Sequence, residues 1–559
     1  MLRRVKKSFD YVIVGAGSAG CVLANRLSED ASKRVLLVEA GGDDRFMGKW
    51  RSPHFSIHMP AALAYNLQPN SQFNWAYETQ PQKHVNNRRF VWPRGKCLGG
   101  SSSLNAMVYV RGHPLDFDNW AKLTNDERWS YRQMLPYFKK AQSHESGGDL
   151  YRGGDGPLTV STGPMTNPLY RAFIAAGKEA GYIESDDLNG AQFEGFGLFD
   201  RTISTQSGTR CNTATAYLRP IMSRPNLTIT TNVLVERLVL NDSGNKCTGI
   251  RINQWSGKGQ SSEIEATERV IVSGGAINTP QLLELSGIGD HERLKHIKDI
   301  ELTHHLPGVG ESLQDHLEVS VQQECSKPIT LYKEQQWWNM PKIGLEWILK
   351  GTGPGASSHF DAGAFVKSRD DVDYADVQFH FVPTQYNDHG QLPPDREAYQ
   401  AHLGTLRSKA VGSTHIASAD PRQHPSIDPN YLSHSDDLPD LIQCIKLGRE
   451  VFAQAAFDEY RSDEYLPGKH VQSDAEIGAW VLDNCNTVYH PCCSAKIGSV
   501  VDASLNVIGI DGLSICDASV MPFITSGNLN APVIAIAEMA ADIIQKKPLL
   551  EPIDAPYAV

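Results

Sequence analysis

The chain has 559 residues, 40% apolar and 21% charged, so it can bury a sizeable core as two domains or one large composite. Its formal charge of -11 argues against nucleic acid as the main partner, because a phosphate-binding surface needs an excess of lysine and arginine, whereas an acidic field tolerates small cations. No apolar run reaches the roughly 18 residues that a spanning helix needs; the best, "APVIAIAEMAADII", is interrupted by Glu538 and Asp542.

The first eight residues, "MLRRVKKS", are basic without an acidic group, and a strand pattern starts at Phe9, which leaves little room for a full transit peptide. They read either as a solvated terminus or as a peripheral contact with an anionic membrane. From Tyr11 to Val14 runs a continuous apolar strand, followed by Gly15, Gly17 and Gly20 and then by Val22, Leu23 and Leu27 at helical spacing. A second apolar run, "RVLLVEA", ends on Glu39 and Ala40. Strand, glycine turn, helix, strand and terminal acid make the dinucleotide fingerprint: Gly15 for the tight turn, Gly17 for close approach of a pyrophosphate, Gly20 for helix-strand packing. The amides around Ser18 and Ala19 open the helix toward the phosphates, and Glu39 faces the ribose hydroxyls. This pattern alone does not separate NAD from FAD.

Residues 43–94 show little periodicity and many aromatics and prolines, as expected of an excursion that covers a ligand. Further strands are expected in "NLTITTNVLVERLVL" and "ERVIVSG". The region from about 320 to 480, with the strand "DVQFHFVP" and the helix "DLPDLIQCIKLGREVF", reads as a second domain. In "NTVYHPCCSAKIG", His490 precedes the vicinal pair Cys492 and Cys493. The ten cysteines show no C-x-x-C spacing, so reduced packing thiols are expected rather than a metal site. The tail "SGNLNAPVIAIAEMAADIIQKK" reads as a helix with Asn530 as N-cap, Pro532 in the first turn, and Lys546 and Lys547 at its negative end.

"GKCLGGSSSLNAMVYVRG" (95–112) and "GAINTPQLLELSGIG" (275–289), followed in order by "LPGVGESLQDHLE", "NTVYHP", "DASVMP" and "GNLNAP", resemble the signatures of the glucose-methanol-choline (GMC) oxidoreductases over nearly the whole chain. Within that family "SLNAMVYVRGH", "SSHFDAGAF" and "QFHFVP" are most similar to the choline-oxidising dehydrogenases. The resemblance implies an α/β Rossmann-type FAD-binding domain with an α+β, antiparallel-sheet substrate domain. The expected partition is 1–160, 221–320 and 481–559 for FAD, and 161–220 and 321–480 for substrate. It implies FAD contacts at Asn105, Val108, Val235, Asp517 and Ala518. It further implies His490 as base facing flavin N5, with Asn530 as its partner.

Alcohol oxidation needs one group to take the hydroxyl proton while a hydride leaves for the flavin. An imidazole suits that task, and an amide N–H steadies the developing oxyanion. By resemblance, Glu324 contacts the trimethylammonium of choline, with His380 and Tyr489 beside it; a cation without N–H groups is held by a carboxylate and aromatic faces. Asp361 stands where choline dehydrogenases usually carry glutamate. Leu104 stands where some relatives tether FAD through histidine, so the cofactor is expected to be non-covalent. The family usually continues "HP" with a string of the type "GTCKMG", here "CCSAKIG", which puts fine flavin placement in question. The expected reaction is choline to betaine aldehyde with a quinone as acceptor, in glycine betaine biosynthesis. The expected location is the mitochondrial inner membrane in a eukaryote, or the cytoplasm or inner face of the cell membrane otherwise. Oxidation of uncharged primary alcohols, and a flavin-binding scaffold with impaired turnover, remain as alternatives.

Overall fold

The computed structural model describes residues 7–45, 54–257, 260–386 and 395–558. The basic stretch 1–6 and positions 46–53 of the aromatic excursion lie outside the described residues.

The strand Ser8–Val14 buries both its faces, as its unbroken apolar run requires, by pairing in parallel with Val35–Val38 on one side and Ser262–Val272 on the other. Leu227–Thr230 extends the sheet in parallel beyond Val35–Val38, and Leu513–Ile515 pairs in parallel with Ser262–Val272. Cys247–Gln254 and Val233–Leu240 continue it antiparallel, which gives seven strands drawn from three distant parts of the chain. The helices Ser18–Leu27 and Asn530–Ile544 pack together in the same core.

The second sheet is antiparallel, in the order Arg461–Leu466, Leu317–Cys325, Ala398–Thr405, Val377–Val382, Ala362–Val366 and Gly195–Leu198. The helices Pro168–Glu179 and Asp437–Phe452 share its hydrophobic core, the latter through Leu441 and Ile445 with Leu438 and Ile442 beside them. This is the expected pairing of a Rossmann-type half with an antiparallel-sheet half. Three corresponding residues line up across the second sheet: His380 opposes His402, and His402 opposes Ser320. Two residues from Ser320 on the same face stands Glu318.

Candidate active site

A cavity of about 350 Å³ takes in the glycine turn, the end of the second strand and the polar face of the antiparallel sheet. Gly15 holds φ +98° at the turn. Gly20 does not line the cavity; a Cβ there would lie 1.9 Å from the Gly15 carbonyl oxygen, so it serves the close packing that the fingerprint assigns to it. Gly17 lines the cavity, and a Cβ on it would meet nothing nearer than Gly100 Cα at 4.0 Å, which leaves its open side to a ligand. Ser18, Ala19, Glu39, Ala40, Asn105, Val108, Val235, Asp517 and Ala518 line the same cavity. The Glu39 carboxylate accepts from the Ala16 and Gly41 amides, both at 2.8 Å, and burial pushes it up to about 7. Asp517 accepts from the Gly275 amide and the Thr279 hydroxyl, which ties the start of the helix Gly275–Leu285 to the cavity floor.

At the other end His490 is fixed from three sides. Its amide donates to Asp315 Oδ1 at 2.7 Å, and the Arg94 guanidinium donates to the Tyr489 carbonyl at 2.6 Å. Its Nδ1 lies 3.0 Å from Nδ1 of His316. His316 Nε2 lies 3.1 Å from the Leu406 carbonyl, which can only accept, so that nitrogen carries the proton. Burial pushes His316 down to about 4, so it is neutral and its Nδ1 is bare. The proton between the two rings therefore belongs to His490 Nδ1, and His490 Nε2 is left with its lone pair toward the cavity. Burial first, then the neighbouring His316, His380 and Arg94, hold His490 well below the ordinary histidine range, so it too is neutral at pH 7.

The residue beside that lone pair is Asn528, with Nδ2 3.3 Å from His490 Nε2. Gln378 Nε2 donates to Asn528 Oδ1 at 3.2 Å, which orients the amide with its N–H groups toward the histidine. Asn530, expected in that place, lines the cavity but accepts the Ser18 hydroxyl proton at 2.7 Å. It is also the first residue of its helix rather than the cap, which is Leu529. Both asparagines lie in "GNLNAP", and only the turn into the helix decides which faces the imidazole.

Glu324 is displaced more strongly. It opposes Ala398, six residues or about 20 Å along its strand from Glu318, and its half-exposed carboxylate accepts from Arg396 at 2.5 Å. It does not line the cavity; Glu318 does, paired with His402 Nδ1 at 3.0 Å. The rings of Phe360, Tyr386, His380 and His402 stand around it, with Phe360 6.2–6.5 Å from each of the other three. His380 and Tyr489 line the cavity as expected. Glu318 and His316 stand in the quoted "QDHLE", but strand alternation allows either Glu318 or Glu324 on that face, and only the depth of the strand separates them.

All ten cysteines are buried and unpaired. Cys492 and Cys493 sit behind His490 with sulfurs 3.2 Å apart, and burial raises the Cys492 thiol well above its ordinary range. Among the described residues no three His, Cys, Asp or Glu side chains converge as metal ligands. Those described residues also contain no helix long and apolar enough to cross a membrane.

A glycine cradle, a buried acid at the strand end and an apolar slot ending on a neutral histidine line one cavity that could hold FAD in one piece, with Gly17 and Ser18 available to the pyrophosphate, Glu39 and Val235 to the adenosine end, and Asn105, Val108 and His490 to the ring end. Residues 9–318 and 408–537 match the two parts that define the GMC oxidoreductases. The chain is 50% identical over 557 residues to the mitochondrial choline dehydrogenase of Mus musculus, covering 99% of this chain and 92% of that one. It is 48% identical over 559 residues to the oxygen-dependent choline dehydrogenase of Burkholderia mallei, covering 99% and 96%. Pyridoxine 4-oxidase from Mesorbium loti superposes with a TM-score of 0.85 at 31% identity, over 97% of this chain and 100% of that one. Alike in both halves and along almost its full length, the chain belongs to the GMC oxidoreductase family, the FAD-dependent enzymes that act on CH–OH groups.

Proposed function

We propose that the protein is a choline dehydrogenase that oxidises choline to betaine aldehyde. The observation that carries this reading is the box of Glu318, Phe360, Tyr386 and His402 across the cavity from the bare nitrogen of His490. A carboxylate with aromatic faces suits a quaternary ammonium, which offers no N–H to a hydrogen-bond acceptor. The two relatives named as choline dehydrogenases support the same substrate. His490 Nε2 takes the hydroxyl proton, and Asn528 Nδ2 donates to the developing alkoxide oxygen. Gln378 and His316 act behind them, holding the amide and the imidazole in the orientation this requires. Bound FAD supplies the hydride acceptor for the alcohol carbon.

Anaerobic addition of choline tests the reading. The yellow flavin absorbance should bleach with choline at far lower concentration than with uncharged primary alcohols. Equal bleaching by both overturns choline as the substrate, and no bleaching by any alcohol overturns the enzyme reading in favour of a scaffold.

FAD is held without a covalent bond in this proposal, because Leu104 has no nucleophilic atom at the tethering position and packs with Ile57, Phe73 and Cys97. Acid precipitation should carry all the yellow colour into the supernatant; flavin retained on the washed pellet contradicts it. A quinone as acceptor and a peripheral place at the inner mitochondrial membrane of a eukaryote, or at the inner face of a bacterial cell membrane, belong to the same proposal; of these, the likeness to a mitochondrial dehydrogenase supports the mitochondrion. The Burkholderia relative is named oxygen-dependent, and peroxide formation in air distinguishes the two acceptors.

A further inference from the structure

We infer that Trp337, Trp338 and the outward side of the helix Met340–Lys350 form a docking surface for an anionic lipid bilayer. The helix is anchored inward through Ile343 and Trp347, four residues apart, which pack with Met59, Ala62 and Phe55. A helix anchored this way on a water-facing surface ordinarily turns polar side chains outward. Here Leu345, Ile348 and Leu349 point outward instead, 42–70% exposed. Trp337 and Trp338, just before the helix, are 76% and 58% exposed, with their rings edge to face at 5.7 Å. Single exposed apolar residues are ordinary, but a contiguous set on one short segment marks an interaction surface.

Charge selects the occupant. The whole chain is acidic at -11, yet this segment exposes Lys333, Lys342 and Lys350, while Glu334 and Glu346 are drawn partly inward. Apolar side chains flanked by tryptophan and lysine suit the bilayer interface, with rings at headgroup depth and ammonium groups on the phosphates. A second copy of this chain, docked by the same patch, would bring the lysines of both copies together inside an already repulsive field. The patch also adjoins the flavin cavity. Tyr65 donates to Met340 Sδ at 3.4 Å, and Leu63 and Leu67 of the same short helix line the cavity wall. A bilayer docked here lies on the side from which a lipid-soluble acceptor would arrive. The docking itself rests on this surface and not on choline as the substrate.

The test is co-sedimentation of the FAD-loaded full chain with vesicles of phosphatidylcholine, with and without phosphatidylglycerol. The native protein should pellet with the anionic vesicles and shift its tryptophan emission to the blue. Leu345→Glu with Leu349→Glu should lose at least about tenfold in vesicle affinity, with FAD content and dye-coupled turnover unchanged. Trp337→Gln with Trp338→Gln, outside the helix, should reproduce that loss. Lys342→Gln and Lys350→Gln should each weaken anionic binding about fivefold and leave neutral vesicles unaffected. Absence of native binding to anionic vesicles, or equal binding by both apolar variants, overturns the inference. So does a native dimer in solution that the Leu345→Glu, Leu349→Glu variant dissociates, which assigns the face to a second copy.

Discussion

With His490 Nε2 as the proposed proton acceptor, His490→Ala should leave FAD bound while slowing flavin reduction about 100-fold or more, as expected for loss of a general base. Stopped-flow reduction by choline measures this, and an unchanged rate removes His490 from that role. The pH dependence has a definite sign. Because burial first, and then the neighbouring His316, His380 and Arg94, hold His490 below the ordinary histidine value of 6.5, its bare form persists as pH falls through that value. The reduction rate should therefore stay level down to 6.5 and decline only below it; an acid limb centred at or above 6.5 contradicts the assignment. Asn528→Ala should slow reduction strongly, whereas Asn530→Ala, whose partner is Ser18, should act mainly on cofactor placement. For the substrate, Glu318→Gln should raise half-saturating choline tenfold or more, about 1.4 kcal/mol. Glu324→Gln, already paired with Arg396 in partial exposure, should change it by less than about threefold. The uncharged isostere 3,3-dimethylbutan-1-ol should barely respond to either, since it offers no cation to attract. Equal weakening of both alcohols by Glu318→Gln would give that carboxylate a structural role instead.

At the scale of elements the glycine turn makes a sharper contrast than a general loss of binding. Gly20→Ala places a methyl carbon 1.9 Å from the Gly15 carbonyl oxygen, so the helix Ser18–Leu27 must leave its strand, and both stability and FAD should be lost. Gly17→Ala meets only Gly100 Cα at 4.0 Å, so unfolding should shift by less than about 0.5 kcal/mol while FAD affinity falls at least about tenfold. Denaturation and flavin titration of the two variants separate these outcomes, and equal loss of stability in both contradicts them. The turn was legible in the sequence because its logic is local: three glycines, one strand and one helix within about 30 residues. The antiparallel sheet was not legible at the same depth. Alternation puts Glu318 and Glu324 on one face, but which lies beside His380 depends on the register with Ala398–Thr405, a partner about 80 residues away.

At the scale of the molecule, Glu538 joins the two ends of the chain. It is fully buried in the last helix and accepts from Arg26 Nε and Nη2 at 2.8 Å and from the Tyr217 hydroxyl at 2.9 Å, with Lys140 Nζ at 3.2 Å. Glu538→Ala leaves the partly buried Arg26 with only the exposed carboxylate of Glu29 at 2.9 Å and strips Lys140 and the Tyr217 hydroxyl of the same partner, so it should cost about 3–5 kcal/mol of stability, measured by urea unfolding of the FAD-loaded protein. A loss below about 1 kcal/mol would show that water takes over the cation. In the sequence the same residue served only to interrupt an apolar run. The sequence by itself determined the dinucleotide fingerprint and the family, and through the family the FAD cofactor and the two-sheet architecture, because each is carried by contiguous motifs. Tertiary structure alone decided that Asn528 rather than Asn530 faces the imidazole, that Glu318 rather than Glu324 enters the cavity, and that His316 leaves His490 Nε2 bare. Those choices depend on helix entry, strand register and a contact between rings 174 positions apart, and none of these is encoded in local spacing.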